Sequence, residues 1–177
     1  MKFISPLIIC ILMFSGQAQA ASCPAERFIQ NAGAAFMNAA DVGSPQAFTS
    51  AAARYADLRS VALFALGPYR RDLDPGMEGK YIARAKAFMG RFMAEHASRF
   101  SGSDITITSC AQTAGGLIIG AKFQDGGNIT FRLRGQNRIE DVSVSGIWMA
   151  QTMRSKFTSV INNHGGDVNS IMTYLEN

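Results

Sequence analysis

The chain predicts an α+β domain: N-terminal helices, then a curved antiparallel sheet of about four strands, then C-terminal helices. Three observations predict it. The apolar period is 3.6 residues from Pro24 to Phe100, becomes 2 from Ile105 to Val144, and returns to 3.6 from Ala150. The turns between the alternating segments, Gln124-Asp125-Gly126-Gly127 and Gly135-Gln136-Asn137, are short enough to require antiparallel neighbours. A run of helices, then strands, then helices is the α+β pattern, with one sheet face for the long helix to cover. Such a layered pair can enclose an apolar cavity between sheet and helices.

The first twenty residues stand apart. Met1-Lys2 is a short positive start, Phe3 to Phe14 is almost continuously apolar, and Gln17-Ala18-Gln19-Ala20 supplies an Ala-x-Ala ending. This is the pattern of an export signal, with cleavage expected after Ala20. The apolar run is shorter than the roughly 20 residues that span a bilayer. Cys23 lies close to the site, but Ala20-Ala21-Ser22 lacks the large aliphatic residue that precedes a lipidated cysteine. Residues 21–177 then form a single domain, long enough to bury roughly two thirds of its extended surface.

Within that domain, Pro24 suits a first helical turn, and Phe28, Ile29, Ala32, Ala35, Phe36 and Ala39 follow at helical spacing. Ser44-Pro45 starts a second helix through about Tyr55, and Asp57 starts a third, ended by Gly67-Pro68. Asp74-Pro75 caps the longest helix, whose stripe is Met77, Tyr81, Ala85, Phe88, Phe92 and Phe100. The strands are expected at Ile105 to Thr108, Leu117 to Phe123, Ile129 to Arg134 and Ile139 to Val144. A helix from Ala150 ends at Gly165-Gly166, and Asp167 caps a last short one.

Charge and chemistry exclude several function classes. The chain has 17 basic residues, of which Lys2 belongs to the leader, against 13 acidic ones, so the mature domain carries +3. That charge is spread without a polybasic block, which argues against a nucleic-acid partner and suits work near anionic membrane surfaces. His96 and His164 read as helix-surface or helix-end residues. No metal-ligand spacing, nucleophile motif or glycine-rich phosphate loop is present. No catalytic residue, metal or cofactor is therefore expected. Cys23 and Cys110 are the two cysteines left after the leader. In an oxidising compartment they either form a structural disulfide or remain as two buried thiols. Closing a loop of that length stabilises by on the order of 4 kcal/mol in the chain-entropy description.

Two segments resemble a known family. Asp57-Leu58-Arg59-Ser60-Val61-Ala62-Leu63-Phe64-Ala65-Leu66-Gly67-Pro68-Tyr69-Arg70, followed by the aromatic-rich helix from Tyr81 to Phe100, is similar to one signature of the MlaC (toluene-tolerance) family. Asp141-Val142-Ser143-Val144-Ser145-Gly146-Ile147-Trp148-Met149, then the helix carrying Arg154 and Phe157, then Gly165-Gly166, resembles another. The chain departs from the family pattern in having Asn137 in place of a tryptophan, Ser145 in place of a glutamate and Trp148 in place of a serine. The resemblance implies an NTF2-like shape with acyl tails held between sheet and helices. It implies a periplasmic carrier shuttling phospholipids between outer and inner membranes. The implied partners are an outer-membrane lipoprotein complex and an inner-membrane ABC transporter complex of the Mla type. Alternatives are a carrier of hopanoids or other lipids within the family, and a non-catalytic envelope interaction protein. Apolar faces and the resemblance together suggest Val61, Phe64, Tyr81, Phe88, Phe92, Ile118, Phe131, Val142, Val144 and Ile147 as the tail-contacting set. Ten of the twelve phenylalanines lie beyond the leader, and methionine, adaptable in shape, is frequent.

Overall fold

The computed structural model describes residues 23–99, 105–124, 126–135 and 137–176. The leader with its cleavage site, and Phe100, lie outside the described residues. Three long helices and one short one come first: α1 (Glu26–Val42), α2 (Pro45–Tyr55), α3 (Leu58–Ala65) and α4 (Pro75–Glu95), with a 3-10 turn at Gly67–Arg71 between the last two. Each start has a chemical cause. The Ser44 hydroxyl accepts from Ala47 N at 3.1 Å, Asp57 accepts from Ser60 N at 3.0 Å, and Asp74 accepts from Gly76 N at 2.7 Å. Each bond occupies an amide that the helix leaves unpaired at its first turn.

The sheet is an antiparallel meander in the order β1-β2-β3-β4-β5. Its strands are β1 (Ile105–Thr113), β2 (Gly116–Phe123), β3 (Asn128–Arg134), β4 (Arg138–Val144) and β5 (Ile147–Trp148). The fifth strand is one more than the alternation predicts. Ser145 and Gly146 take φ of 51° and 86°, a two-residue reversal that folds Ile147 back against Val144. Helices α5 (Met149–Asn163) and α6 (Ser170–Tyr174) complete the chain.

Two further differences have local causes. The longest helix stops at Glu95, short of Phe100, because the His96 ring sits 2.8 Å from the Phe92 carbonyl and the chain turns into a 3-10 segment, Ala97–Arg99. Asp167 does not cap α6 directly. Its carboxylate accepts from Asn169 N at 2.9 Å, and the helix begins one residue later. His164 ends α5 as His96 ends α4, its ring 2.8 Å from the Val160 carbonyl.

The described apolar core falls into three clusters. One is helical: Ala62, Leu66, Tyr81, Phe157, Ile161 and Ile171 join α3, α4, α5 and α6. A second belongs to the sheet, where Leu117, Ile119, Ile129, Phe131 and Leu133 pack against Ile29 and Ala32 of α1. The third, around Phe48 and Ala51, pins α2 between α1 and the end of α4. At that crossing Gly90 is buried, and a Cβ there would lie 2.1 Å from Thr49 Oγ1 and 2.5 Å from the Pro45 carbonyl oxygen. Only glycine allows so close an approach. A disulfide between Cys23 and Cys110, with Cα atoms 5.6 Å apart, ties the start of α1 to β1.

Candidate functional site

The helical and sheet clusters remain separate, and the elements that meet between them are α3 and α5 on the helical side and β4 on the sheet side. The chain entering α3 is hydrogen-bonded onto the start of β4. Asp57 N donates to the Ile139 carbonyl at 3.2 Å, and the Arg138 guanidinium donates to the Arg54 carbonyl at 2.9 Å. Beyond this anchor the seam is less well packed. Val61 and Phe64 on α3, and Val144 and Ile147 around the β4–β5 turn, join none of the three clusters. Phe64 is 41% exposed and Ile147 is 62% exposed.

The residues suggested from sequence separate into three groups in the fold. Val61 and Phe64 on α3, and Val144 and Ile147 at the β4–β5 turn, lie outside the three clusters. Phe131 and Val142 are cross-strand partners on β3 and β4 and belong to the sheet cluster. Tyr81 and Phe88 lie in the helical cluster: Tyr81 is fully buried and its hydroxyl donates to the Ala62 carbonyl at 2.6 Å, and Phe88 packs edge-on against Phe157 at 5.7 Å. Burial raises the Tyr81 phenol far above its ordinary value, so it stays a neutral donor. Phe92 stacks on His96 near the end of α4, with ring centroids 4.5 Å apart. Ile118 pairs with Arg132, while its neighbour Ile119 pairs with Phe131, so Ile118 points to the opposite sheet face from Phe131.

A cleft of about 360 Å³ opens beside Phe64. Its walls are Arg59, Ser60, Leu63 and Phe64 of α3, Gly67 and Arg70 of the 3-10 turn, Arg134 of β3 and Arg154 of α5. The sequence offered no local signal for this group, because Arg59 and Arg70 share one segment but folding alone brings Arg134 and Arg154 to them. Arg59 pairs with Glu78, and Arg134 pairs with Glu140 and, at 3.6 Å, with Asp57. Arg154 instead lies over the Phe64 ring, 5.0 Å from its centroid. A second cleft of similar size, which shares Arg59, is lined by Asp57, Lys86 and Arg138 among others.

Two carboxylates brace the site. Asp141 accepts from Val142 N at 2.8 Å and from Ala150 N at 2.9 Å, fastening the first turn of α5 to β4. Burial pushes its carboxyl up, against the pull of those amides and of Arg132. Asp57 has the opposite balance. Its bonds from the Ser60 amide and hydroxyl, then the nearby Arg134 and Arg138, hold its carboxyl below the ordinary 3.8. A group whose folded value is depressed adds stability above its unfolded value, and that stability is lost as pH falls through the folded value. Asp57→Ala is therefore expected to destabilise by about 1 kcal/mol at neutral pH, as loss of an N-cap does. The gap to the parent narrows below the ordinary carboxylate value. Urea titrations at neutral and acid pH check this, and a gap independent of pH would contradict it.

Among the described residues, no group of three or more His, Cys, Asp or Glu side chains could hold a metal, and no helix is long and apolar enough to cross a membrane. A family profile described as MlaC protein matches residues 38–177. No curated protein sequence matches the chain. Among solved structures, the fold is similar to that of the phospholipid-binding protein from Ralstonia solanacearum in complex with a phospholipid. The TM-score is 0.71, over 86% of this chain and 94% of that one, at 15% identity. At that identity the likeness is one of fold.

Proposed function

The chain belongs to the MlaC family, and from that premise we propose that it is a periplasmic phospholipid carrier. In this reading the acyl tails lie at the seam between α3 and β4, and the headgroup stays at the surface. The observation that carries the reading is that Val61 and Phe64 on α3, and Val144 and Ile147 at the β4–β5 turn, are apolar side chains left outside the three packed clusters. The phospholipid complex of the Ralstonia solanacearum protein, which shares the fold, supports it.

Energetics sets what such a carrier must do. A 16-carbon tail in water costs on the order of 12 kcal/mol, at about 0.8 kcal/mol per methylene. The cleft of about 360 Å³ is near the lower end of the roughly 300–1,000 Å³ of small-ligand pockets and is rimmed by charge. Two tails need more apolar room, so α3 and β4 part on loading beyond their anchors at Asp57 and Asp141. The separate helical and sheet clusters allow this, because each keeps its own core when the seam opens. Tyr81, Phe88, Phe131 and Val142 form the walls behind the tails, with Phe92 and Ile118 at the margins.

Transport in this reading involves no covalent chemistry. We assign no catalytic residue, metal or cofactor. Export after cleavage at Ala20 delivers the domain to the periplasm, where it exchanges lipid with an outer-membrane lipoprotein complex and an inner-membrane ABC transporter complex of the Mla type. The energy for directed movement then comes from the transporter. The test is extraction. Delipidated protein incubated with vesicles of phosphatidylethanolamine and phosphatidylglycerol, then separated by flotation, is expected to emerge with stoichiometric lipid. Protein that stays empty at saturating vesicle concentration would overturn the carrier reading and favour an envelope interaction protein.

A further inference from the structure

We propose that the arginine-lined cleft beside Phe64 is an oxyanion site that takes the phosphate of a lipid headgroup. The inference rests on the carrier reading and adds to it the group by which the lipid is recognised. Four elements each bring an arginine to the wall of one cleft of about 360 Å³: Arg59 from α3, Arg70 from the 3-10 turn, Arg134 from β3 and Arg154 from α5. The carboxylates in contact serve only two of them, Glu78 at Arg59 and Asp57 with Glu140 at Arg134. Arg70 and Arg154 have no carboxylate partner among the described residues. Like charges gathered this closely repel one another, and an anion in the cleft relieves that repulsion.

The geometry holds Arg154 ready for such an anion. Its guanidinium is steadied by the Phe64 ring rather than by an acid, which leaves its planar fork free for two parallel bonds to a phosphate. Gly67 makes room for it. With φ of +59°, Gly67 takes a backbone conformation that side chains disfavour. A Cβ there would lie 3.1 Å from Arg154 Nε and 2.9 Å from Thr158 Cγ2. The same cleft wall carries Leu63 and Phe64, so charge and apolar surface adjoin as they do in an amphiphile. A phosphate held by Arg70 and Arg154 leaves the tails running past Phe64 into the seam. A free phosphate presents the same oxygens without tails, and the experiment separates the two sources.

Delipidated protein is mixed in maltoside micelles, which contain no phosphate, with equal amounts of phosphatidylglycerol and of diacylglycerol bearing the same tails. Bound lipid is read by native mass spectrometry. The wild type is expected to prefer the phosphate-bearing lipid by about tenfold or more, as a difference of 1.4 kcal/mol produces. R70Q/R154Q is expected to bring the ratio near one, and R70K/R154K to restore part of it. The Arg70 side chain makes no hydrogen bond or ion pair among the described residues, so R70Q alone reads the site if the double variant fails to fold. It is expected to lower the ratio several-fold.

An equal uptake of the two lipids by the wild type would overturn the headgroup site and leave the carrier reading standing. A preference that survives R70Q and R70Q/R154Q would do the same. Uptake of neither lipid would overturn both. Titration with inorganic phosphate distinguishes the source: binding that needs Arg70 and Arg154, together with equal lipid uptake, would assign the cleft to a free anion and overturn the proposal.

Discussion

In a C23S/C110S variant, unfolding is expected to be easier by about 4 kcal/mol, a fall in Tm of roughly 10 °C for a domain of this size. The disulfide spans 87 positions, so it restricts a long loop in the unfolded chain, and that restriction is the source of the effect. It also has a structural target. Cys23 precedes α1, which covers the sheet with Ile29 and Ala32, and Cys110 lies on β1, at the edge of the sheet. Without the bond, α1 is held to the sheet mainly by that apolar contact. Loss of protection should therefore begin in α1 and β1 and leave the α3–α5 cluster intact. Calorimetry and hydrogen exchange on the reduced and oxidised protein check both parts. An unchanged Tm, or exchange that rises evenly over the molecule, would contradict the assignment.

Phe157→Ala is expected to cost about 3–5 kcal/mol, the range for emptying a fully buried aromatic site. Phe157 is wholly buried at the centre of the helical cluster, with Phe88 at 5.7 Å and Tyr174 at 6.2 Å in edge-on contact. Neighbours on α4, α5 and α6 are tethered by other bonds. Arg84 pairs with Glu176 and Arg91 donates to the Leu175 carbonyl, so the helices cannot collapse freely into the void. Val144→Asp is expected to give the opposite pattern. Its side chain is half-buried and outside the clusters, so stability falls less than in Phe157→Ala while lipid uptake drops by about tenfold or more. Urea unfolding and vesicle extraction on the two variants read this contrast. Two variants that lose stability and uptake in the same proportion would show that the seam is ordinary core.

These contrasts bear on what was legible in the sequence. Helix starts were, because a cap is a local device: Ser44, Asp57 and Asp74 each bond an amide two or three residues ahead. Strands β2, β3 and β4 were as well, since alternation and short turns are local too. The end of α4 was hidden by a run of good helix formers, which a single bond from the His96 ring to the Phe92 carbonyl interrupts. The two-residue strand β5 was missed inside a motif read for its family resemblance, although Ser145-Gly146 is itself a turn signal. On β4 the register shifts beside Arg132, so that Ile139, Val142 and Val144 all pair with core-facing residues of β3, which strict alternation cannot predict. For the proposed site, apolar faces and the family resemblance suggested Val61, Phe64, Val144 and Ile147 but could not separate them from Tyr81 and Phe88, which belong to the helical cluster. The arginine cleft was beyond reach, because Arg134 and Arg154 lie far in sequence from the segment that carries Arg59 and Arg70 and meet it only through the packing of α3, β3 and α5.

The measurement that tests the carrier account most directly is native mass spectrometry of the mature protein isolated from a periplasmic extract without detergent, followed by extraction and identification of whatever is bound. The account predicts a chain beginning at Ala21 with one disulfide and an added mass equal to a phospholipid at a ratio near one to one. A hopanoid mass would keep the carrier and change its cargo. A bare chain that also takes no lipid from vesicles would contradict the account.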